Sequence, residues 1–598
     1  MKNTYHTLII GTGCAGYNAA ERLFSLGVRD IAVVTEGRFM GTSRNTGSDK
    51  QTYYKLSLCG NDADSVREMA DTLYSGGGVM GEHALCEAAY SVRCFMHLVE
   101  LGVPFPTNEY GEYAGYKTDH DPRKRATSCG PLTSKYMTEA LERSVIEKGI
   151  EIIDFQRVIK ILTKDASVIG VACANTVTGE ISTIGAQNVI LCTGGPAGIY
   201  KNSVYPESQH GATGLATDAG ATLSNMEEWQ YGIASTRFRW NLSGTYQQVL
   251  PRYISVTPDG KESEFLYDKL GDASLGLIFL KGYQWPFDTR KVEGSSKVDI
   301  LVAEQIKRGN RVYLDFLHNP KGLDNGFDAL PGETYEYLKN SDALFGTPIE
   351  RLEKMNVGAI ELYAAHGIDL YSERLEIAVC AQHCNGGVAV DENWQSDVEG
   401  LYVAGEAAGT FGVYRPGGSA LNSTQVGGLR AAQHIAKQQM RTLESPEYSA
   451  PSIKYGVSNL AGIREEFTTE MSRVADFDRR TDAMKAMLEK VDALCESFFD
   501  IAIINDRSET AELFKLYDMA LTQRAALSAM ICSAQSIGTH GSAFVDRLPD
   551  LTEGKMRETR TLTKQKTSTL VPISQMPDPE LWFEKLLARQ KKDGRYEK

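Results

Sequence analysis

The chain has 598 residues, 42% hydrophobic and 23% charged, which suits a globular protein too long for one core, so two or three domains are expected. A formal net charge of -14 and a pI near 5.4 argue against a nucleic-acid surface, which needs a basic patch. No run reaches the ~18 apolar residues of a membrane span, and a strand by residue 7 leaves no room for a signal peptide.

Thr7-Leu8-Ile9-Ile10 reads as a strand. It opens onto Gly11-Thr12-Gly13-Cys14-Ala15-Gly16, then a helical pattern at Ala19, Ala20, Leu23 and Phe24. A second strand, Ile31-Ala32-Val33-Val34, is closed by Thr35-Glu36. Each part has a physical use at a dinucleotide. Gly11 makes the tight turn, Gly13 lets backbone approach a pyrophosphate, and Gly16 lets helix pack on strand. The helix N-terminus offers free N–H groups and a positive dipole end, and Glu36 can accept hydrogen bonds from a ribose.

Helical patterns follow at Ser65–Leu73, His83–Leu101 and Leu132–Lys148. Alternating segments come next, Glu151–Leu162 and Val168–Ala174, and then a buried-looking run, Asn188–Cys192. Residues from about 236 to 370, with weak periodicity and many turn residues, read as an insertion. Strand signals return at Glu376–Cys380 and Leu401–Ala404, with a helix from Thr424 to Met440 and a linker at Ser445–Ser452. From Tyr455 the pattern is helical through Gln535. The polar tail beyond Glu553 carries no clear pattern, and its basic end (Lys585, Arg589, Lys591, Lys592) reads as a solvated helix end. Eleven scattered cysteines without a CxxC suit a reducing cytosol, and their spacing matches neither a zinc site nor an iron–sulfur site. No metal and a cytoplasmic location are therefore expected.

Two further glycine clusters decide between nicotinamide and flavin. Val189-Ile190-Leu191-Cys192-Thr193-Gly194-Gly195 is a buried strand opening onto a turn, which brings the chain back over a ribityl and pyrophosphate. Gly400-Leu401-Tyr402-Val403-Ala404-Gly405-Glu406 ends a strand under a cofactor, where the acid can meet a ribitol hydroxyl. In this order the three segments point to FAD.

Over nearly its whole length the chain resembles the flavoprotein subunits of the fumarate reductase/succinate dehydrogenase group, which includes L-aspartate oxidase and adenylylsulfate reductase. The resemblance is carried by Ser43 through Gln51, Arg125-Ala126-Thr127, Asn225-Met226-Glu227-Glu228-Trp229-Gln230-Tyr231 and Val312-Tyr313-Leu314-Asp315. It continues in His383-Cys384-Asn385-Gly386-Gly387, the Gly-Glu segment and Arg415-Pro416-Gly417-Gly418-Ser419-Ala420-Leu421. It implies an α/β fold. A Rossmann-like FAD-binding domain (1–235 and 371–445) would hold an inserted α+β capping domain (236–370), followed by a C-terminal helical domain (453–598). Besides Gly11, Gly13, Cys14, Ala15, Gly16 and Glu36, it implies cofactor contacts at Thr42, Ser43, Arg44, Thr46, Gly47 and Val158. Further contacts fall at Thr193, Gly194, Gly195, Gly405, Glu406, Ser419, Ala420 and Leu421.

The chain departs from that pattern in three places. Arg44 stands where covalent members carry histidine, which implies noncovalent FAD. Gly232-Ile233-Ala234 replaces the His-Pro-Thr of dicarboxylate-handling members. Ser295-Ser296 aligns with their Arg-Asp, whose arginine moves a proton, and Arg290 lies five residues upstream. His383 and Arg415 match a substrate-facing histidine and a carboxylate-binding arginine, so His383, Arg415 and Arg290 are the expected catalytic residues. Arg237, Arg239 and Trp240, the Asp119-His120-Asp121 run and His540 are weaker candidates.

The expected activity is FAD-dependent hydride exchange with a small polar, anionic metabolite, as dehydrogenase or reductase. The chain carries no cluster ligands, so a ferredoxin-like iron–sulfur partner is the alternative setting, and a catalytically inactive FAD-binding protein is a third reading.

Overall fold

The computed structural model describes residues 3–60, 63–323, 326–441, 443, 445–546 and 553–592. Its first sheet has seven strands. Apolar Thr4–Ile10 lies at its centre, between Ile31–Val34 and Ile181–Leu191, all parallel. Glu151–Ile153 extends the sheet beyond Ile31–Val34, and Leu401–Val403 pairs with the C-terminal half of Ile181–Leu191. The N-terminal half of that strand leads instead into an antiparallel meander of Ser167–Asn175 and Gln156–Lys164. Near-continuous burial of the parallel strands fits a sheet covered on both faces.

Helix Cys14–Ser25 crosses Ser419–Ile435 closely. A Cβ at Gly428 would meet Asn18 Nδ2 at 2.6 Å, so glycine permits the approach. The helix to the other side, Thr133–Glu147, supplies Glu142, which accepts from Tyr17 Oη at 3.1 Å.

The second sheet has six antiparallel strands. Trp229–Ser235 and Leu375–Cys384 enter and leave it on either side of the 236–370 segment. Arg311–Asp315, Arg252–Val256 and Glu262–Ser263 continue it on one side, and Trp240–Asn241 on the other. Tyr246, Tyr253, Phe279 and Leu314 belong to the separate core that it shares with its helices. The weak periodicity of this region reflects short strands interrupted by helices that range from Thr245–Gln248 to Pro348–Ala365.

Helices Leu460–Val474, Thr481–Ile501 and Thr510–Ser536 follow, and their apolar residues join the core of the first sheet. The tail that carried no clear pattern contains a hairpin, Thr559–Lys564 with Thr567–Pro572. It pairs with Leu223–Ser224, so tertiary pairing sets its structure. Among the described residues no helix is long and apolar enough to cross a membrane, and no group of three His, Cys, Asp or Glu could hold a metal ion.

Candidate active site

A cavity of about 630 Å³ runs from the opening glycine turn to the second sheet. At one end, Gly11 takes φ +110° and a Cβ there would meet Cys192 O at 2.5 Å, so the turn needs glycine. Helix Cys14–Ser25 begins at Gly13 with no side-chain cap, and both glycines line the cavity. An uncapped helix N-terminus at a glycine turn suits a pyrophosphate. Ala15, Thr42, Ser43, Thr46, Gly47 and Val158 line the cavity too, as do Thr193, Gly194, Gly405, Ala420 and Leu421. Glu36 lines it with Oε1 taken by Arg157 Nη1 at 2.6 Å. Arg157 is buried and lies 121 residues away in sequence, so the pairing was not readable from the chain.

The other end holds His383 and Arg415. A bulge aims the histidine. Gln230 pairs with His383 and Tyr231 with Ala381, leaving Gln382 as the extra residue. Gln382 and His383 therefore both line the cavity despite being consecutive. His383 Nδ1 lies 2.9 Å from Asn385 Oδ1. Asn385 Nδ2 donates to Gly412 O at 2.7 Å and Val413 O at 3.3 Å, which fixes the amide with its oxygen toward the ring. Nδ1 then carries the proton and Nε2 is a bare acceptor. Nε2 is buried with no hydrogen-bond partner, 3.8 Å from Glu406 Oε1. Burial, then the charge of Arg415, hold the imidazole well below its ordinary pKa, so it is neutral.

Arg415 is gripped by Gln230 Oε1 (2.6 Å), Asn385 Oδ1 (3.3 Å) and Ser419 Oγ (3.4 Å). Burial lowers its pKa to about 10 against the pull of Glu406, so it stays charged at neutral pH. Glu406 lines the same cavity, accepting from the Tyr205 hydroxyl and from Cys384 N–H at 2.9 Å. Burial raises its pKa to about 7.

Six expected site residues lie outside the lining. Cys14 Sγ turns back to Ser134 O and Thr138 Oγ1, and Gly16 lies under Gly11 O. Arg44 faces away, to Glu142 at 2.8 Å and Glu139 at 3.4 Å. Gly195 backs onto the Glu406 carboxyl, and Ser419 Oγ accepts from Arg415 Nη1 at 3.4 Å. Arg290 is held by Asp288 (2.8 and 3.1 Å) and lies 3.5 Å over the Tyr414 ring.

The weaker candidates separate. Arg237 pairs with Glu373 at the surface, Arg239 reaches Tyr205 O, and Trp240 stacks on Phe238 behind Gly47. Asp119 and His120 line the cavity, whereas Asp121 is buried against Arg125 and Tyr54. His540 is buried in an ion pair with Glu228 at 2.7 Å, away from the lining. Residues that sequence reasoning missed are Arg157, Tyr205, Gln230, Gln382 and Asn385. Gln230 and Asn385 both lie inside segments that carry the resemblance.

A family model described as FAD binding domain matches residues 6–421. The chain belongs to this FAD-binding family. It is 26% identical over 554 residues to a CoM/CoB fumarate reductase subunit of Methanothermobacter marburgensis, covering 89% of this chain and 93% of that one. It is 25% identical over 493 residues to an L-aspartate oxidase of Agrobacterium fabrum, covering 81% and 84%. In structure it superposes on a quinol fumarate reductase chain of E. coli with a TM-score of 0.70, 18% identity and coverage of 97% and 98%. FAD is thus the cofactor, and the protein is an FAD-dependent oxidoreductase of the fumarate reductase/succinate dehydrogenase flavoprotein type. Its α/β fold is the one expected for that group.

Proposed function

We propose that the protein exchanges hydride with a small anionic metabolite held at Arg415, using noncovalent FAD seated along the Gly11–Gly16 turn. Bound FAD supplies N5 as the hydride donor or acceptor. The half-buried guanidinium of Arg415 carries this reading. Three of its five N–H donors are used by Gln230, Asn385 and Ser419, leaving two for a carboxylate fork. Its charge also favours electron-rich species at this end of the cavity. His383, neutral with Nε2 bare, is suited to take a proton from the substrate or to accept its hydrogen bond. Arg44, paired with Glu142 and Glu139, cannot form a flavin–histidyl bond. The domain division 1–235, 236–370, 371–445 and 453–598 belongs to this reading, with strands Trp240–Asn241, Arg252–Val256, Glu262–Ser263 and Arg311–Asp315 in the cap and Trp229–Ser235 and Leu375–Cys384 joining it to the FAD-binding domain.

A second setting is a complex with an iron–sulfur protein. Among the described residues nothing could hold a cluster, so electrons need another carrier or oxygen. All eleven cysteines are free, which supports a reducing cytoplasm. Anaerobic photoreduction of the holoenzyme followed by a metabolite screen tests the proposal. Reoxidation or reduction of flavin by an anionic metabolite supports it, and a flavin that no metabolite touches refutes it. Copurification of an iron–sulfur protein would favour the second setting.

A further inference from the structure

Helix Phe583–Lys592 has no buried residue. Leu586 N–H donates to Trp582 O at 3.1 Å, which makes Trp582 its cap residue. Leu581, Trp582, Phe583 and Leu586 are 81%, 62%, 67% and 37% exposed. The other four tryptophans, Trp229, Trp240, Trp285 and Trp394, are at most 4% exposed, so Trp582 stands apart. At helical spacing Trp582, Phe583, Leu586 and Leu587 fall on one stripe, which Gln590 continues. A contiguous apolar stripe left to water marks an interaction surface.

The helix carries four basic side chains against one acid, Glu584, in a chain of net charge -14. Helical spacing sets Lys585, Arg589 and Lys592 in one row beside Trp582, and Lys591 one turn beyond Leu587 on the other edge. Bases thus border the apolar stripe on both sides. Lys585 also meets Glu580 at 3.0 Å, at the surface, where such a pair is worth little. Long basic side chains at these edges can lay their stems along apolar surface and raise their charges to phosphates. A protein groove would have to pair the four charges one by one, whereas an anionic bilayer meets them all without a matching shape.

We infer that Trp582 and helix Phe583–Lys592 form a docking surface for an anionic lipid bilayer. The apolar stripe lies in the headgroup boundary, with the lysines and arginine on lipid phosphates. The helix lies on the membrane and does not cross it, being ten residues long.

The test mixes the FAD-loaded full chain with vesicles of phosphatidylcholine, alone or with about a third phosphatidylglycerol, and follows flotation and tryptophan emission. The exposed Trp582 makes emission and its quenching by acrylamide a report on this helix. Anionic vesicles should shift the emission to the blue and float the protein. Neutral vesicles should bind it about tenfold less, and added salt should release it. The double variants Trp582→Ser/Phe583→Ser and Lys585→Glu/Arg589→Glu should each lose flotation while keeping FAD. No flotation with anionic vesicles overturns the inference, and so does flotation that both variants retain. Trp582 already shielded from acrylamide in a lipid-free dimer would give this face to a second copy and overturn the lipid assignment.

Discussion

His383 and Arg415 share one acceptor: Asn385 Oδ1 lies 2.9 Å from His383 Nδ1 and 3.3 Å from Arg415 Nε. That oxygen holds the imidazole tautomer and the guanidinium plane together. It makes Asn385 a positioning residue for both.

Asn385→Leu should therefore lower turnover with FAD content unchanged. It leaves two buried donors unpaired, at about 1–3 kcal/mol each. Asn385→Asp has a different signature. A carboxylate at Nδ1 favours the charged imidazole and raises its pKa. Wild-type His383 lies well below its ordinary 6.5, so a step that needs neutral Nε2 should hold its rate down through pH 6.5. In Asn385→Asp the acid limb should move to higher pH. A pH–rate profile identical in the two proteins would remove Asn385 from this role.

FAD should be tightly bound and released by acid. Arg44 is committed to Glu142 and Glu139 and cannot replace a flavin-linking histidine. Acid precipitation should leave yellow flavin in the supernatant. Flavin in the pellet, or NAD in its place, would contradict this.

Fumarate reduction and succinate oxidation should be weak. Ser295 and Ser296 are buried in hydrogen bonds to Gln284 and Asp288, and Arg290 is held by Asp288 outside the cavity lining. Loss of a positioned acid costs about 10²–10⁴ in rate. Assay with a reduced viologen dye checks it, and robust fumarate turnover would point back to Arg290.

Glu87 gives a stability test away from the cavity. It is buried in helix Gly81–Glu100 and accepts from Asn422 Nδ2 at 2.9 Å. Burial raises its pKa from 4.5 to about 8. Between those values the folded protein keeps a proton that the unfolded chain has lost, so this group's contribution to stability falls as pH rises through that range. Glu87→Gln removes the ionisation. Its Tm relative to wild type should improve from pH 5 to pH 8.5, and a difference constant across that range would refute the assignment.

The sequence made the glycine-turn end of the cavity legible because its signals are local. Gly11, Gly13 and Glu36 act within one strand–turn–helix–strand unit. What escaped depends on distant pairings: Arg157 on Glu36, the tail hairpin on Leu223–Ser224, and Trp285 on Gly232. The departure at Gly232 was readable, but not its filling by an indole 53 residues along the chain. The bulge at Gln382 was equally hidden, since strand alternation would send consecutive residues to opposite faces. His383 and Arg415, which line the cavity, were expected from the segments that carry the resemblance, and Asn385 lay unread between them.

The most direct measurement is FAD content alongside activity for Arg415→Lys and His383→Ala. Lysine keeps the charge of Arg415 but loses its fork, so transition-state binding should weaken by roughly 1.5–3 kcal/mol. Both variants should hold FAD near the wild-type level while activity falls. Loss of FAD with full activity in the remaining holoenzyme would mean that these residues serve the cofactor and that the substrate binds elsewhere.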